Sequence, residues 1–195
     1  MNTVFFDIDT QLDFLYPAGA LYVPGAERIV PAVARLNRWA AEHGNTVVSS
    51  MDAHAENDLE FRTWPPHCVA GTAGQAKPCG TLLDRRIVIP NTTDSTTGAG
   101  APQIILEKQT TDIFQTHTIQ ALLEKLHADR YLVYGVVTEI CVARAALGLQ
   151  QTGRPVAIVT DAVESLSADA ARRLFDEFTS AGGVLTSVSE VCQGR

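Results

Sequence analysis

Residues 131–142, YLVYGVVTEICV, decide the fold. Tyr131 to Tyr134 form an unbroken apolar run, too short for a helix, and read as a buried strand. Gly135 breaks the run. Thr138 then offers a hydroxyl N-cap to a helix that carries Ala145, Ala146 and Leu149 on one side. With Thr138 as the cap, Cys141 falls at the third helical position. The first-turn N–H groups are unpaired there and the helix dipole is positive, and both favour a thiolate over a thiol. The ordinary alternative is a small cysteine packed at a strand–helix junction. The rest of the chain has to decide between the two.

Working outward, the same grammar recurs. TVFFDI (3–8) reads as a strand, followed at once by Asp9, Gln11 and Asp13. TVVSSM (46–51) is a second strand, ending in Asp52 and then His54. QIILEK (103–108) is a third, ending in Lys108, and PVAIVTDA (155–162) and VLTSVSEV (184–191) are two more. Residues 87–89 are a short apolar piece, and 90–102, rich in Thr, Gly and Asn, read as a surface loop. Helical spacing marks three further segments. One carries Ile29, Val33, Leu36 and Ala40, has its regular part starting near Pro31 and closes at Gly44. The second covers 117–127, and the third covers 167–181 with Ser167 as its cap.

Strands that are apolar along their length and alternate with helices imply a three-layer, doubly wound α/β domain with a mostly parallel sheet and helices on both faces. Its expected extent is residues 1–195, a length that supports a full core. Asp9, Asp52, Lys108 and the Cys141 turn all lie just past strand C-termini. In such a sheet those ends share one edge, so the four converge on one crevice.

Composition narrows the partners. Hydrophobic residues make up 46% and charged residues 19%, an ordinary globular balance. The net charge of −7, without a basic block, argues against nucleic acid and against an anionic membrane surface. No apolar run reaches bilayer-spanning length, and the N-terminus lacks a signal-peptide pattern. Cys68, Cys79, Cys141 and Cys192 form neither a CxxC pair nor a disulfide framework. The expectation is a cytoplasmic protein with reduced thiols and a small-molecule substrate.

Two constellations carry chemistry. Asp9 can take a thiol proton, especially if burial raises its pKa, and Lys108 can hold a thiolate beside Cys141. Singly, Asp9 is explained as a turn residue and Lys108 as a surface lysine; together at three strand ends they suggest a catalytic set. In the second constellation, Asp52 and His54 point to one side of an extended chain, and His67 of WPPHC follows in the loop. Two imidazoles and a carboxylate with open positions suit one divalent metal ion, zinc or iron/manganese, although an isolated Asp-x-His also occurs by chance. Glu60 is a possible fourth ligand. Phe14 and Trp64 are candidate walls for a flat ring, or ordinary core.

DTQLDF (9–14), Glu107-Lys108 and GVVTEICV (135–142), with LYVPGAERIVPAV (21–33), resemble the isochorismatase-like cysteine hydrolases over almost the whole chain. The resemblance implies that Asp9, Lys108 and Cys141 form the catalytic triad. It also implies a cis peptide at Val136–Val137 and an oxyanion hole from the N–H groups of Val137 and Cys141. DAH followed by WPPHC is similar to the metal site of the nicotinamidase branch, which implies amide hydrolysis of nicotinamide through a thioester, and a homo-oligomer. The sequence departs from that branch at Ala53, Ala55, Asp58 and Glu60. After the lysine, only Phe114 matches the usual aromatic segment. Those departures leave open another small amide, a ureide or a vinyl ether as substrate. A non-catalytic binding domain with a structural Cys141 is the contrasting reading, and a redox-sensor cysteine is a third.

Overall fold

The structure, a computed structural model, describes residues 1–93 and 100–193. In chain order its regular elements are β1 (Thr3–Ile8), α1 (Leu12–Leu15), α2 (Val30–Glu42), β2 (Thr46–Asp52), β3 (Arg86–Ile89), β4 (Gln103–Lys108), α3 (Ile119–Leu126), β5 (Arg130–Gly135), α4 (Ala143–Gln150), β6 (Val156–Val163), α5 (Ala168–Ser180), β7 (Val184–Thr186) and α6 (Val188–Gln193). The strands pair in the order β3-β4-β2-β1-β5-β6-β7, and every pairing is parallel.

The two faces of this sheet are read directly from alternate residues. Val4, Phe6 and Ile8 of β1 join Val133 of β5 in one apolar cluster with Leu122 of α3, Ala145, Ala146 and Leu149 of α4 and Phe178 of α5. Phe5, Val47, Leu132 and Tyr134 face the other way, onto Val33, Leu36 and Ala40 of α2 and Val188 and Val191 of α6. Burial on both faces explains why these strands are apolar without a polar alternation. Between the layers runs one buried polar seam. Lys77 Nζ lies 3.2 Å from Asp7 Oδ2, and Thr10 and Ser49 donate to the same carboxylate at 2.6 and 2.9 Å.

Winding runs outward from β1 through β2 and β4 on one side, then restarts at β5 on the other. The order therefore reverses between β1 and β5, where open α/β sheets form their ligand crevice. Asp9 follows β1 and the Cys141 turn follows β5, so both stand at that switch point.

Two local expectations change. Thr138 is not a side-chain cap: its hydroxyl donates to Glu164 O at 2.8 Å, and residues Thr138–Val142 form a wide π-type turn before α4. VLTSVSEV does not continue as a strand past Thr186. Ser187 Oγ accepts from Glu190 N at 3.2 Å and Glu190 Oε2 accepts from Ser187 N at 2.9 Å, a reciprocal capping box that starts α6. The short apolar piece at 87–89 is part of the edge strand β3, Arg86–Ile89, paired with β4. The expected loop 90–102 lies partly outside the described residues. Ser167 does cap α5, accepting from Ala170 N at 3.3 Å.

Candidate functional site

β1 delivers Asp9 through a backbone kink. Asp9 has φ 48°, in the left-handed region that aspartate tolerates better than most residues, and this turns its carboxylate off the strand direction. Ser50, two residues before Asp52 on β2, donates to Asp9 Oδ1 at 2.6 Å. Lys108 ends β4 directly beside Asp52 of β2, the two being paired in register. Its ammonium lies 2.9 Å from Asp9 Oδ2, contacts Asp52 Oδ1, and donates to Thr110 O at 2.9 Å. Asp9 and Lys108 are each only 1% exposed, so these contacts are made without competing water.

Cys141 stands over this pair from the β5–α4 turn and interacts electrostatically with both Asp9 and Lys108. The Val136–Val137 peptide is cis, where the resemblance placed it. In the turn, Val136 N–H goes to Ile8 O at 2.9 Å, Thr138 N–H to Glu164 O at 2.8 Å and Ile140 N–H to Val137 O at 3.0 Å. Among the described residues, the Val137 amide donates none of the backbone bonds made outside the helices and strands.

Burial sets the ionisation states. It lifts the Asp9 carboxyl above the ordinary carboxylate range, outweighing the pull of Lys108. Burial works against the Lys108 ammonium too, but Asp52 and Asp9 hold its proton on, well above the usual lysine value. For Asp52, Lys108 and His54 overcome burial and keep the carboxylate ionised. The Cys141 thiol is pushed well up by burial, with Lys108 opposing only in part. This corrects the expectation of a resting thiolate. The turn is not an α-helical first turn, and the low-dielectric surroundings penalise a bare sulfur anion more than one ammonium shared by two carboxylates repays.

Beside the triad lies a second cluster. Asp52 Oδ2 is 3.9 Å from His54 Nε2 and 3.8 Å from His67 Nε2, and donor atoms of the three residues lie within 4.8 Å of one another. The other ring nitrogens are engaged outside: His54 Nδ1 faces Asp58 Oδ2 at 3.0 Å and His67 Nδ1 faces Pro65 O at 2.8 Å. Those partners favour the tautomer that leaves each Nε2 lone pair pointing inward. His54 Nε2 is buried without a hydrogen-bond partner. A carboxylate oxygen and two inward imidazole lone pairs fit a divalent metal ion, and an orphaned buried nitrogen is otherwise unexplained.

One pocket joins the two clusters. Its walls include Cys141, Val137, Asp52, His67, Phe14 and Trp64. Phe14 packs on the His67 ring with centroids 5.4 Å apart, and Phe61 lies 5.3 Å from His54. Glu60 also borders this pocket, its carboxyl raised by burial and by the charge of Asp52, but it is not part of the compact Asp52–His54–His67 group.

Known proteins of this architecture match along the chain. Residues 86–190, more than half its length, match the isochorismatase domain model. The chain belongs to the isochorismatase family. The nicotinamidase/pyrazinamidase of Mycobacterium tuberculosis is 27% identical over 95% of this chain and 96% of its own. Pyrazinamidase of Pyrococcus horikoshii, solved in complex with zinc, superposes with a TM-score of 0.81 at 27% identity, covering 96% of this chain and 99% of that one. An isochorismatase-like hydrolase from Alkaliphilus metalliredigens gives a TM-score of 0.83 at 21% identity, over 99% and 98% of the two chains, and speaks for the fold.

Within this isochorismatase-family site, several contributors escape a reading by strand ends alone. Ser50 was findable, because period-two alternation puts it on the same side as Asp52. Gln11 clamps β2 through Asp52 N (2.7 Å) and Asp52 O (2.9 Å), and Asp58 is set four residues after His54 to receive its Nδ1. Phe114 goes elsewhere. It covers Gly148 of α4, where a Cβ would stand 2.3 Å from its ring, and Thr111 lines the pocket instead. Among the described residues, no helix is long and apolar enough to cross a membrane.

Proposed function

We propose that this hydrolase is a metal-dependent cysteine amidohydrolase converting nicotinamide to nicotinate and ammonia. The observation that carries the reading is the sharing of Asp52. One of its oxygens ties down the lysine of the Asp9–Lys108–Cys141 set, and the other faces the two histidines that flank the same pocket. The relatives' names supply the amide.

Asp52, His54 and His67 would hold the ion, with Glu60 at the pocket edge as a possible fourth ligand. A bound divalent ion, zinc or an iron/manganese type, would supply a Lewis-acidic docking point for a ring heteroatom. The chain's own residues perform the chemistry. Phe14 and Trp64 sandwich a flat ring and set its carboxamide over the sulfur. Cys141 attacks the carbonyl carbon as Asp9 takes the thiol proton, so no free thiolate has to persist in the buried site. The Val137 and Cys141 N–H groups receive the oxyanion. Asp9 returns its proton to the departing ammonia, leaving a thioester on Cys141. Asp9 then activates water to hydrolyse it. Lys108 stabilises the ionised form of Asp9 throughout. The assembly proposed with this activity is a cytoplasmic homo-oligomer.

Ammonia release from nicotinamide, pyrazinamide, benzamide and an isochorismate-type ether, by metal-loaded and stripped protein, tests the reading. The expected result is turnover of the two ring-nitrogen amides, lost on stripping, with benzamide much poorer. Equal turnover of benzamide overturns the docking role of the metal site. Indifference to chelator together with turnover of the ether moves the chain to another substrate class.

A further inference from the structure

Part of the pocket wall that the chemistry above does not use is built by the β6–α5 loop. Leu166 of that loop lines the cavity together with Cys141, Val137 and Ile140, yet its residue remains 50% exposed. A half-exposed leucine on a free loop would sample many positions and define no wall. This loop is not free. Thr138 N and Thr138 Oγ1 both donate to Glu164 O at 2.8 Å, and Glu164 N donates to Gly135 O at 3.3 Å. Glu139 Oε1 accepts Leu166 N at 3.0 Å and Ser167 N at 2.9 Å. Five hydrogen bonds thus strap residues 164–167 onto the turn that carries the nucleophile. The two from Glu139 bracket Leu166 and Ser167 at the N-terminus of the 13-residue α5, where a carboxylate is also favoured by the helix dipole. The second oxygen, Glu139 Oε2, is buried with no partner.

We propose that Leu166 is a specificity-determining wall of the pocket and that Glu139 is the positioning residue that fixes it against the Cys141 turn. The wall bounds the space beside the sulfur, so the site selects small monocyclic amides and rejects fused bicyclic ones. The named substrate class rests on the amidohydrolase reading; the wall itself does not. Because Glu139 lies two residues from Cys141 and Thr138 three, the loop that carries the wall is anchored to the backbone segment that carries the nucleophile.

Alkylation of Cys141 tests this without turnover. Peptide-resolved mass spectrometry separates Cys141 from the exposed Cys79, and rates are compared for iodoacetamide and the bulkier N-phenyl iodoacetamide. The expected result is a strong preference for the small reagent in the wild type. Leu166→Ala and Glu139→Ala should each raise the relative rate of the phenyl reagent by about tenfold, the scale on which an apolar pocket discriminates. Glu139→Gln keeps an acceptor oxygen for both N–H groups and should stay near wild type, which separates a hydrogen-bonded strap from a general loss of fold. An unchanged ratio in Leu166→Ala overturns the wall. An unchanged ratio in Glu139→Ala, or a Glu139→Gln that behaves like Glu139→Ala, overturns the positioning role. In parallel, Leu166→Ala should improve kcat/KM for quinoline-3-carboxamide relative to nicotinamide. Absence of ammonia from wild-type protein would sink the amidohydrolase reading while the alkylation ratio still reports on the wall.

Discussion

Asp52 divides its carboxylate between two neighbours: Oδ1 takes the Lys108 ammonium, and Oδ2 sits 3.8 Å from His67 Nε2 on the opposite side. Register produces this arrangement, since Asp52 and Lys108 are paired across β2 and β4. Removing Asp52 would therefore take away a proposed metal ligand and also leave Lys108 with Asp9 as its carboxylate partner among the described residues. Asp52→Ala is expected to lose both bound metal and activity, whereas Asp58→Ala, which removes only the Nδ1 partner of His54, should weaken metal affinity by about 10–100-fold. Metal titration monitored alongside ammonia release checks the ranking. Equal metal affinity in Asp58→Ala and wild type would refute the outer role of Asp58.

In the proposed mechanism Asp9 sets the acid side of the pH profile. Its carboxyl is raised by burial, and it accepts the thiol proton only when ionised. The fall of kcat/KM on acidification should therefore begin above the pH at which an ordinary aspartate titrates. Ser50 donates to Asp9 Oδ1 and favours the ionised form, so Ser50→Ala should move that limb to still higher pH. A limb that stays in place, or moves down, contradicts the assignment of Asp9 as base.

The same raised pKa has a cost in stability. A carboxyl that binds its proton more tightly folded than unfolded contributes stability that is complete below the unfolded pKa and is lost as pH rises through the folded one. For the wild type that contribution declines as pH rises, because burial raises the folded-state pKa of Asp9. Asp9→Asn removes the buried charge while Asp52 still pairs Lys108. It should abolish hydrolysis without lowering the melting temperature at pH 7, and thermal unfolding at pH 5 and 7 measures it. A clear drop in melting temperature at pH 7 would contradict the linkage.

Gly135 ends β5 with φ 117°, and a Cβ there would stand 2.1 Å from Ile8 O, the carbonyl that accepts Val136 N. Neither a side-chain conformation nor the neighbouring backbone can absorb that overlap. Gly135→Ala is expected to destabilise by at least about 2–3 kcal/mol and to disable the nucleophile turn, as read by denaturant unfolding and ammonia release.

Lys77 and Asp7 are both fully buried and carry no proposed chemistry. Breaking such a pair leaves one uncompensated charge, so Lys77→Ala should cost about 3–5 kcal/mol. Lys77→Met combined with Asp7→Asn should recover much of that loss. Urea unfolding of the single and double variants decides it; a double variant no better than the single would mean that the hydrogen bonds of Thr10 and Ser49, rather than the ion pair, dominate the seam.

Apolar runs that stop abruptly at chemistry were enough to read β1, β2, β4 and β5, their parallel pairing and the gathering of Asp9, Asp52, Lys108 and Cys141 at one edge. Periodicity and termination are local properties, and a buried parallel strand declares both. The Ser187–Glu190 capping box was also present in the letters, but alternation of apolar residues in VLTSVSEV hid it. Its two reciprocal bonds end the strand at Thr186.

The sequence by itself determined which side chains meet, because strand direction and right-handed crossovers leave them no other place. Tertiary structure decided what those side chains are when they meet. Burial keeps Cys141 a thiol, holds Asp9 toward neutrality and leaves His54 Nε2 without a partner. It also brings Asp58 and Leu166 to the site from loops whose own residues give no sign of the destination. Ionisation and loop placement depend on the dielectric and the contacts supplied by distant segments, and those exist only once the chain has folded.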